Sequence, residues 1–255
     1  MILVKNLTKK YASVAGLDNL SLKVRGKKIF ALVGPNGAGK SSLLNILTGL
    51  INKTSGEVTI FNFNLDKEVL KIKSKIGVVP EIFPLFEGLT AYEHLEFVSK
   101  VYNLKTEEYK KRITELLNFF ELSFVKNRTI ETYSQGMKKK LTFASAIIHN
   151  PELLFLDEPF ENVDPISRKK MKNIIEKFKN NGATVVIASH SLVEVEDFCD
   201  EVAIIDKGKI IFQSEIKEIR KKVKNELTNE TYASLEEIFL ELTTEKKEEK
   251  TLSWL

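Results

Sequence analysis

No run of 18 consecutive apolar residues occurs in the 255-residue chain, so nothing in it reads as a helix able to span a bilayer. Cysteine is almost absent: Cys199 stands alone, which excludes an internal disulfide and fits a reducing compartment. A strong charge imbalance is missing as well. The 39 Lys and Arg against 35 Asp and Glu leave a net charge of +4, too slight to argue for nucleic acid. The short basic clusters Lys138-Lys139-Lys140 and Arg220-Lys221-Lys222 accordingly read as solvated helix faces. The opening Met1-Ile2-Leu3-Val4-Lys5 lacks the charged-then-apolar order of a secretory leader and reads as a first strand. With 43% hydrophobic and 29% charged residues, the remainder is the composition of a soluble globular protein with ample chain to bury a core.

One stretch organises the rest. Gly34-Pro35-Asn36-Gly37-Ala38-Gly39-Lys40-Ser41 matches the phosphate-loop pattern G-x-x-x-x-G-K-[ST] without substitution. The apolar run Ile29–Val33 before it reads as a buried strand, and Ser42–Leu47 after it as the start of a helix. Glycines free successive backbone N–H groups to point inward as a nest for phosphate oxygens, and the helix N-terminus adds donors and a partial positive charge. Lys40 is expected to reach the β- and γ-phosphates and the Ser41 hydroxyl to bind Mg²⁺, with Ser42 next in the nucleotide-binding set. This is a nucleoside triphosphate site. No Asn-Lys-x-Asp guanine reader accompanies it.

Residues 2–7 and 19–24 alternate apolar and polar residues as half-buried strands do, with Lys9-Lys10-Tyr11-Ala12-Ser13 as a polar connection between them. An aromatic at Tyr11 either stacks on a purine or covers a sheet edge; the residues alone leave both open. Helical periodicity runs from Thr90 to Tyr102 and from Thr106 to Leu122, with Thr90 and Thr106 as expected N-caps. His94, with no partner at ligand spacing, reads as a satisfied structural or surface histidine. Ser134 opens a third helix to about Asn150, with Leu141, Ala144, Ser145 and Ile148 as its inner stripe. Leu153–Leu156 and Thr184–Ser189 are continuous apolar runs suited to parallel strands buried on both faces. Asp164-Pro165 opens another helix, and Val202–Asp206 with Lys209–Gln213 form a hairpin. Residues 245–255, with Trp254, are expected to fray.

The expected fold is α/β: a phosphate-loop NTPase core with a mainly parallel sheet, an antiparallel β subdomain and an inserted helical subdomain over about residues 87–150. Residues 1–213 make this unit and 214–255 a charged helical extension. Ligands of such sheets lie at the carboxyl ends of strands, where Ser41, Glu81, Asp157, Glu158 and His190 all fall. Asp157 closes an apolar strand as a Walker-B aspartate holding Mg²⁺ does. Glu158, on a turning chain, can point elsewhere and act as the base for the attacking water, with Lys40 and His190 completing the catalytic set by holding the γ-phosphate.

Gly34–Ser41, Tyr133-Ser134-Gln135-Gly136-Met137, Leu153–Glu158, Asn162-Val163-Asp164 and His190 occur in the order and approximate spacing of ATP-binding cassette (ABC) ATPases, and residues 2–213 resemble that family. The resemblance implies that Tyr11 stacks on adenine, that Ser134 and Gly136 belong to the signature motif, and that Asn162-Val163-Asp164 is the dimer-contacting loop. It further implies ATP and Mg²⁺ as cofactors and two subunits joined head to tail, each ATP lying between one phosphate loop and the other signature helix. Three signature positions depart from the family's Leu-Ser-Gly-Gly-Gln, and Glu81 stands where the family has a glutamine, which leaves the contribution of Glu81 to the metal in doubt. These departures and Ser234–Phe239 are similar to subunits of export-type transporters. The expected protein is therefore an ATPase at the cytoplasmic face of the membrane. Its partners are a second copy or a homologous subunit and a separate membrane-spanning permease. The apolar Phe83-Pro84-Leu85-Phe86 either helps form the groove for that permease or packs beneath the helices. The alternative is a soluble cassette ATPase acting on ribosomes or nucleic acid, against which stand the lack of a second phosphate loop and of sustained heptads.

Overall fold

A computed structural model describes residues 1–12, 14–219 and 234–243. Strands β1 (Ile2–Tyr11) and β2 (Val14–Val24) pair antiparallel; β1 then pairs antiparallel with β4 (Ser55–Ile60), and β4 with the short β5 (Phe63–Asn64). This four-stranded sheet lies against a six-stranded one built on β3 (Ile29–Val33). Around β3 stand β8 (Thr184–Ser189) and β9 (Glu201–Asp206), then β7 (Leu153–Asp157) and β6 (Ile76–Val79), all parallel; only β10 (Lys209–Glu215) at the far edge runs antiparallel.

The central strands read as unbroken apolar runs because both faces are covered. Leu153 and Phe155 of β7 face the β1–β2 side, while Leu154 and Leu156 face the helical side. The short α1 (Lys40–Leu47) fills the first side, and α2 (Leu65–Lys73) joins β5 to β6. On the second side, α3 (Ala91–Val101), α4 (Thr106–Phe119) and α5 (Gln135–Ile147) intervene between β6 and β7, followed by α6 (Pro165–Asn180) and α7 (Leu192–Phe198). Two further helices, α8 (Ile216–Ile219) and α9 (Leu235–Thr243), set Ile216, Ile219, Leu235 and Ile238 against Ala31 and Val33 of β3. Arg220-Lys221-Lys222 and residues 245–255 lie outside the described residues.

Several expectations need correction. Both opening strands are longer than their alternation suggested, so Tyr11 ends β1 rather than lying in a connection. Register shifts after Val4 and Leu7, with Asn6 at φ 49°, interrupt the period of two that the sequence pattern relies on. Thr90 caps α3 in a reciprocal box with Glu93, but Thr106 is the first helical residue of α4, and Lys105 is its cap without a side-chain bond. Lys138-Lys139-Lys140 is not a solvated face. Lys138 pairs with Glu87 and Lys140 with Ser167 and Asp164, while Lys139 is only 3% exposed. The inner stripe of α5 is buried at Leu141 and Ala144 and continues to Ile148 just past its end, with Ser145 half-buried. His94 is buried, yet its Nδ1 has no hydrogen-bond partner among the described residues.

Candidate functional site

The phosphate loop leaves β3 through a space that only glycine fits. A Cβ at Gly34 would sit 2.3 Å from the Ile205 carbonyl oxygen. At the other end Gly39, with φ 109°, is the N-cap of α1, and a Cβ there would approach Gly16 O to 2.6 Å. No side chain caps α1 and no acid lies in its first turn, so its leading N–H groups are available to an anion.

A cleft of about 410 Å³ opens over this loop. Asn36, Gly37, Gly39, Lys40, Ser41 and Ser42 line it from the loop and helix, Tyr11 and Gly16 from the antiparallel sheet, and Glu81, Asp157 and Glu158 from the ends of β6 and β7. Gly34, Pro35 and Ala38 build the loop from behind: Pro35 O accepts from Ala38 N at 3.2 Å, and Ala38 O from Gly208 N at 2.9 Å. Lys40 is buried, its Nζ donating to Gly34 O at 2.7 Å and Pro35 O at 3.2 Å. Tyr11 leans across the cleft, its hydroxyl 3.2 Å from Ser42 Oγ and its ring so close to Gly16 that a Cβ there would meet it at 2.7 Å. Sequence reasoning missed Gly16. Only the structure extends β2 back to Val14, so the close approach that a glycine within a strand marks was not legible at Gly16.

The buried Asp157 carboxylate shares the cleft with the Ser41 hydroxyl. Its burial raises the carboxyl above the ordinary aspartate value, an effect opposed by Ser41 and Lys40 and reinforced by Glu81 and Glu158. A divalent cation would relieve that crowding, and hydroxyl and carboxylate oxygens are the donors a hard ion takes. Among the described residues, no three metal-capable side chains sit close enough to hold an ion alone. Ser41 and Asp157 therefore fit an ion completed by phosphate oxygens and waters, as magnesium prefers.

Glu158 has a left-handed backbone, φ 44°, which a non-glycine residue keeps only when its surroundings enforce it. Its N–H donates to Ala188 O at 3.0 Å, and its Oε1 lies 2.9 Å from His190 Nδ1. The sequence reading gave His190 to a phosphate; here one ring nitrogen is committed to the adjacent carboxylate, the base-and-orienter arrangement of acid–base sites. Glu158 raises the His190 pKa above 6.5 by hydrogen bond and charge, outweighing a small opposing effect of burial. Burial pushes the other two histidines, His94 and His149, down to about 4. A histidine NMR titration should thus show His190 alone changing charge near neutrality, with a midpoint above 6.5. The stabilising contact is fully present below the unfolded value and is lost as pH rises through the raised one. Glu158→Gln should bring the midpoint back towards 6.5; an unmoved midpoint would count against the pair.

Ser134 and Gly136 do not line the Lys40 cleft. Ser134 is the exposed N-cap of α5, its Oγ accepting from Met137 N at 3.3 Å. A Cβ on Gly136 would lie 3.1 Å from Asn162 O, and Lys140 Nζ donates to Ser167 Oγ at 3.1 Å, so α5 and the loop before α6 form one patch. Met137, half-buried, packs against the core of the helical side. Near this side Pro84, Leu85 and Phe86 share a smaller cleft of about 230 Å³ with α3 residues such as Phe97. Phe86 is half-exposed, whereas Phe83 lies under the Lys139 ammonium at 5.1 Å, so the segment is divided between surface and packing.

A family model described as ABC transporter matches residues 17–161. The linearmycin resistance ATP-binding protein of Bacillus subtilis (strain 168) is 38% identical over 211 residues, covering 83% of this chain and 68% of the relative. The lantibiotic transport ATP-binding protein of Streptococcus pyogenes is 38% identical over 215 residues, covering 84% and 91%. A dimeric ATP-binding cassette, solved in a post-hydrolysis state bound to ADP and Pi, superposes with a TM-score of 0.79 at 29% identity, over 85% of this chain and 99% of that one.

Proposed function

The chain belongs to the ABC transporter family and is an ATP-binding, ATP-hydrolysing subunit that powers a membrane transporter; from that premise we propose that it works as a head-to-tail dimer around two ATP–Mg²⁺. The observation that carries this reading is the separation within one chain of two complementary half-sites. Lys40, Ser41, Asp157 and Glu158 share a cleft, while Ser134 displays an exposed helix N-terminus outside it. Donors and a positive dipole end at Ser134 suit a γ-phosphate, and only another molecule can bring them there.

In this reading Ser41 and Asp157 would hold Mg²⁺, with Glu81 beside them, and the ion would supply charge neutralisation of the phosphates. Tyr11 stacks on adenine. Lys40 moves its ammonium from the loop carbonyls to the β- and γ-phosphates, and Asn36, Gly37 and Gly39 surround them. Glu158 takes a proton from the attacking water, oriented by His190 Nδ1, whose Nε2 is then the nitrogen for the γ-phosphate. Loss of that phosphate removes the charge joining the two subunits, and the dimer opens.

Among the described residues no helix is long and apolar enough to cross a membrane. In this reading the pathway belongs to a separate permease and this subunit sits at the cytoplasmic face, as the names of its transporter-subunit relatives favour. Half-exposed Phe86 and Phe97 and the strongly exposed Ile82 offer that permease an apolar docking edge. The linearmycin resistance and lantibiotic transport proteins to which the chain is similar favour export as the direction.

The test is a crosslink between Asn36→Cys on one copy and Ser134→Cys on the other, using a short thiol reagent. The native Cys199 will not compete, because burial pushes its thiol up to about 12. Crosslinked dimer should form only with ATP and Mg²⁺. Its absence under those conditions would overturn the shared-site reading.

A further inference from the structure

Tyr11 ends β1 at the edge of the nucleotide cleft, and three groups fix its side chain. Its hydroxyl lies 3.2 Å from Ser42 Oγ, on the first turn of α1. One edge of its ring rests on Gly16 of β2, where a Cβ would meet Cε2 at 2.7 Å and Cδ2 at 3.0 Å. The third group is Lys9, two residues back on the same strand. Its Nζ stands over the face of the ring, 4.9 Å from the centroid. That ammonium is itself anchored, donating at 2.8 Å to Asn52 O in the connection from α1 to β4. A cation over an aromatic face is attracted by the ring quadrupole, and a cation tied to a backbone carbonyl holds the ring in place. Tyr11, Gly16 and Ser42 line the cleft, whereas Lys9 and Asn52 do not.

We propose that Lys9 is a positioning residue for the nucleoside base. It covers the face of Tyr11 turned away from the cleft and holds the ring in the orientation whose other face stacks on adenine. The inference rests on the ATP-site reading above and deepens it, dividing the cleft into a base half and a phosphate half. Lys9 does not touch the nucleotide; it acts through Tyr11. At 44% exposure the tyrosine has little packing of its own to order it. A ring held before the ligand arrives loses less rotamer freedom when a base stacks on it, so the lysine contributes by preorganisation. The Ser42 contact ties the same ring to the helix that presents Ser41, which sets the spacing between base and phosphates. Ligands that carry a base should feel the lysine, and phosphates alone should not.

The experiment uses the full chain and calorimetric titration with two probes, ATP and inorganic triphosphate, each with Mg²⁺, beside KM and kcat for ATP. Lys9→Met keeps the length of the side chain and removes its charge. It should weaken ATP binding about two- to fivefold, the scale of one exposed cation–π contact. KM should rise by a similar factor, with triphosphate binding and kcat as in the native chain. Lys9→Arg, which can cover the ring and reach Asn52 O, should retain the affinity for ATP. In a Tyr11→Ala background, Lys9→Met should have no further effect. Lys9→Gln repeats the test should Lys9→Met not fold. Unchanged ATP binding overturns the proposal. So does an equal loss for ATP and triphosphate, which would make Lys9 a general attraction for phosphates. A loss that persists in Tyr11→Ala also overturns it, because the lysine would then act through Asn52 and not through the ring. Tyr11→Ala alone separates the two levels: native ATP affinity in that variant sinks the stacking reading itself, whereas a silent Lys9→Met beside an impaired Tyr11→Ala sinks only this inference.

Discussion

Glu158→Gln should bind ATP as the native chain does, hydrolyse it about 10²–10⁴-fold more slowly, and accumulate as a nucleotide-bridged dimer. The substitution keeps the length of the side chain and its capacity to hydrogen-bond His190. It removes the ability to take a proton and one of the negative charges around the cleft. Binding groups are untouched: Lys40, Ser41 and the loop amides lie on β3 and α1, not on the turn after β7. That turn holds Glu158 in a left-handed conformation fixed by its N–H bond to Ala188 O, so the carboxylate is placed by the sheet and not by its own rotamer freedom. With turnover blocked, the γ-phosphate stays between the two half-sites and the dimer persists. Single-turnover hydrolysis and size-exclusion chromatography with ATP and Mg²⁺ would check both halves. Brisk hydrolysis by this variant removes Glu158 from the role of base; slow hydrolysis without a trapped dimer removes the shared site.

Lys40→Ala should all but abolish ATP binding and with it hydrolysis. Lys40 is the buried cation aimed into the phosphate loop, and truncating a buried charged partner costs about 2–5 kcal/mol, on the order of 30-fold to several thousand-fold in affinity. The fold should survive. The bonds to Gly34 O and Pro35 O are lost, at about 0.5–1.5 kcal/mol each, while the cores on both faces of the sheet are left intact. Titration calorimetry with ATP and Mg²⁺, beside a thermal melt, tests this directly. Affinity within threefold of native would show that the loop binds by its backbone alone.

The sequence carried much of this site because its residues sit where strands end. Asp157 and His190 close or follow apolar runs, and a buried parallel strand announces itself by continuous hydrophobicity. Caps were legible where the side chain itself makes the bond, as at Thr90, Ser134 and Asp164. They misled at Thr106, where the residue suits a cap but the chain begins its helix there. Helix α2 escaped notice because Glu68 breaks its regularity with φ −131° and only Leu65 and Ile72 are buried, too sparse a stripe to show a period. Lys139 escaped for another reason. A run of three lysines carries no local sign that the middle one turns inward, since that depends on Phe83, supplied by the segment after β6.

By itself, then, the sequence determined the phosphate loop, the acids that end its neighbouring strands, the class of fold and the family, all properties of contiguous residues whose chemistry is local. Tertiary structure alone decided that Tyr11 lies against Gly16, that His190 pairs with Glu158, that Lys139 is buried between two surface-paired lysines, and that Ser134 stands outside the cleft of its own chain. Those are relations between segments far apart in the chain, set by how the strands and helices pack, and no spacing within one segment encodes them.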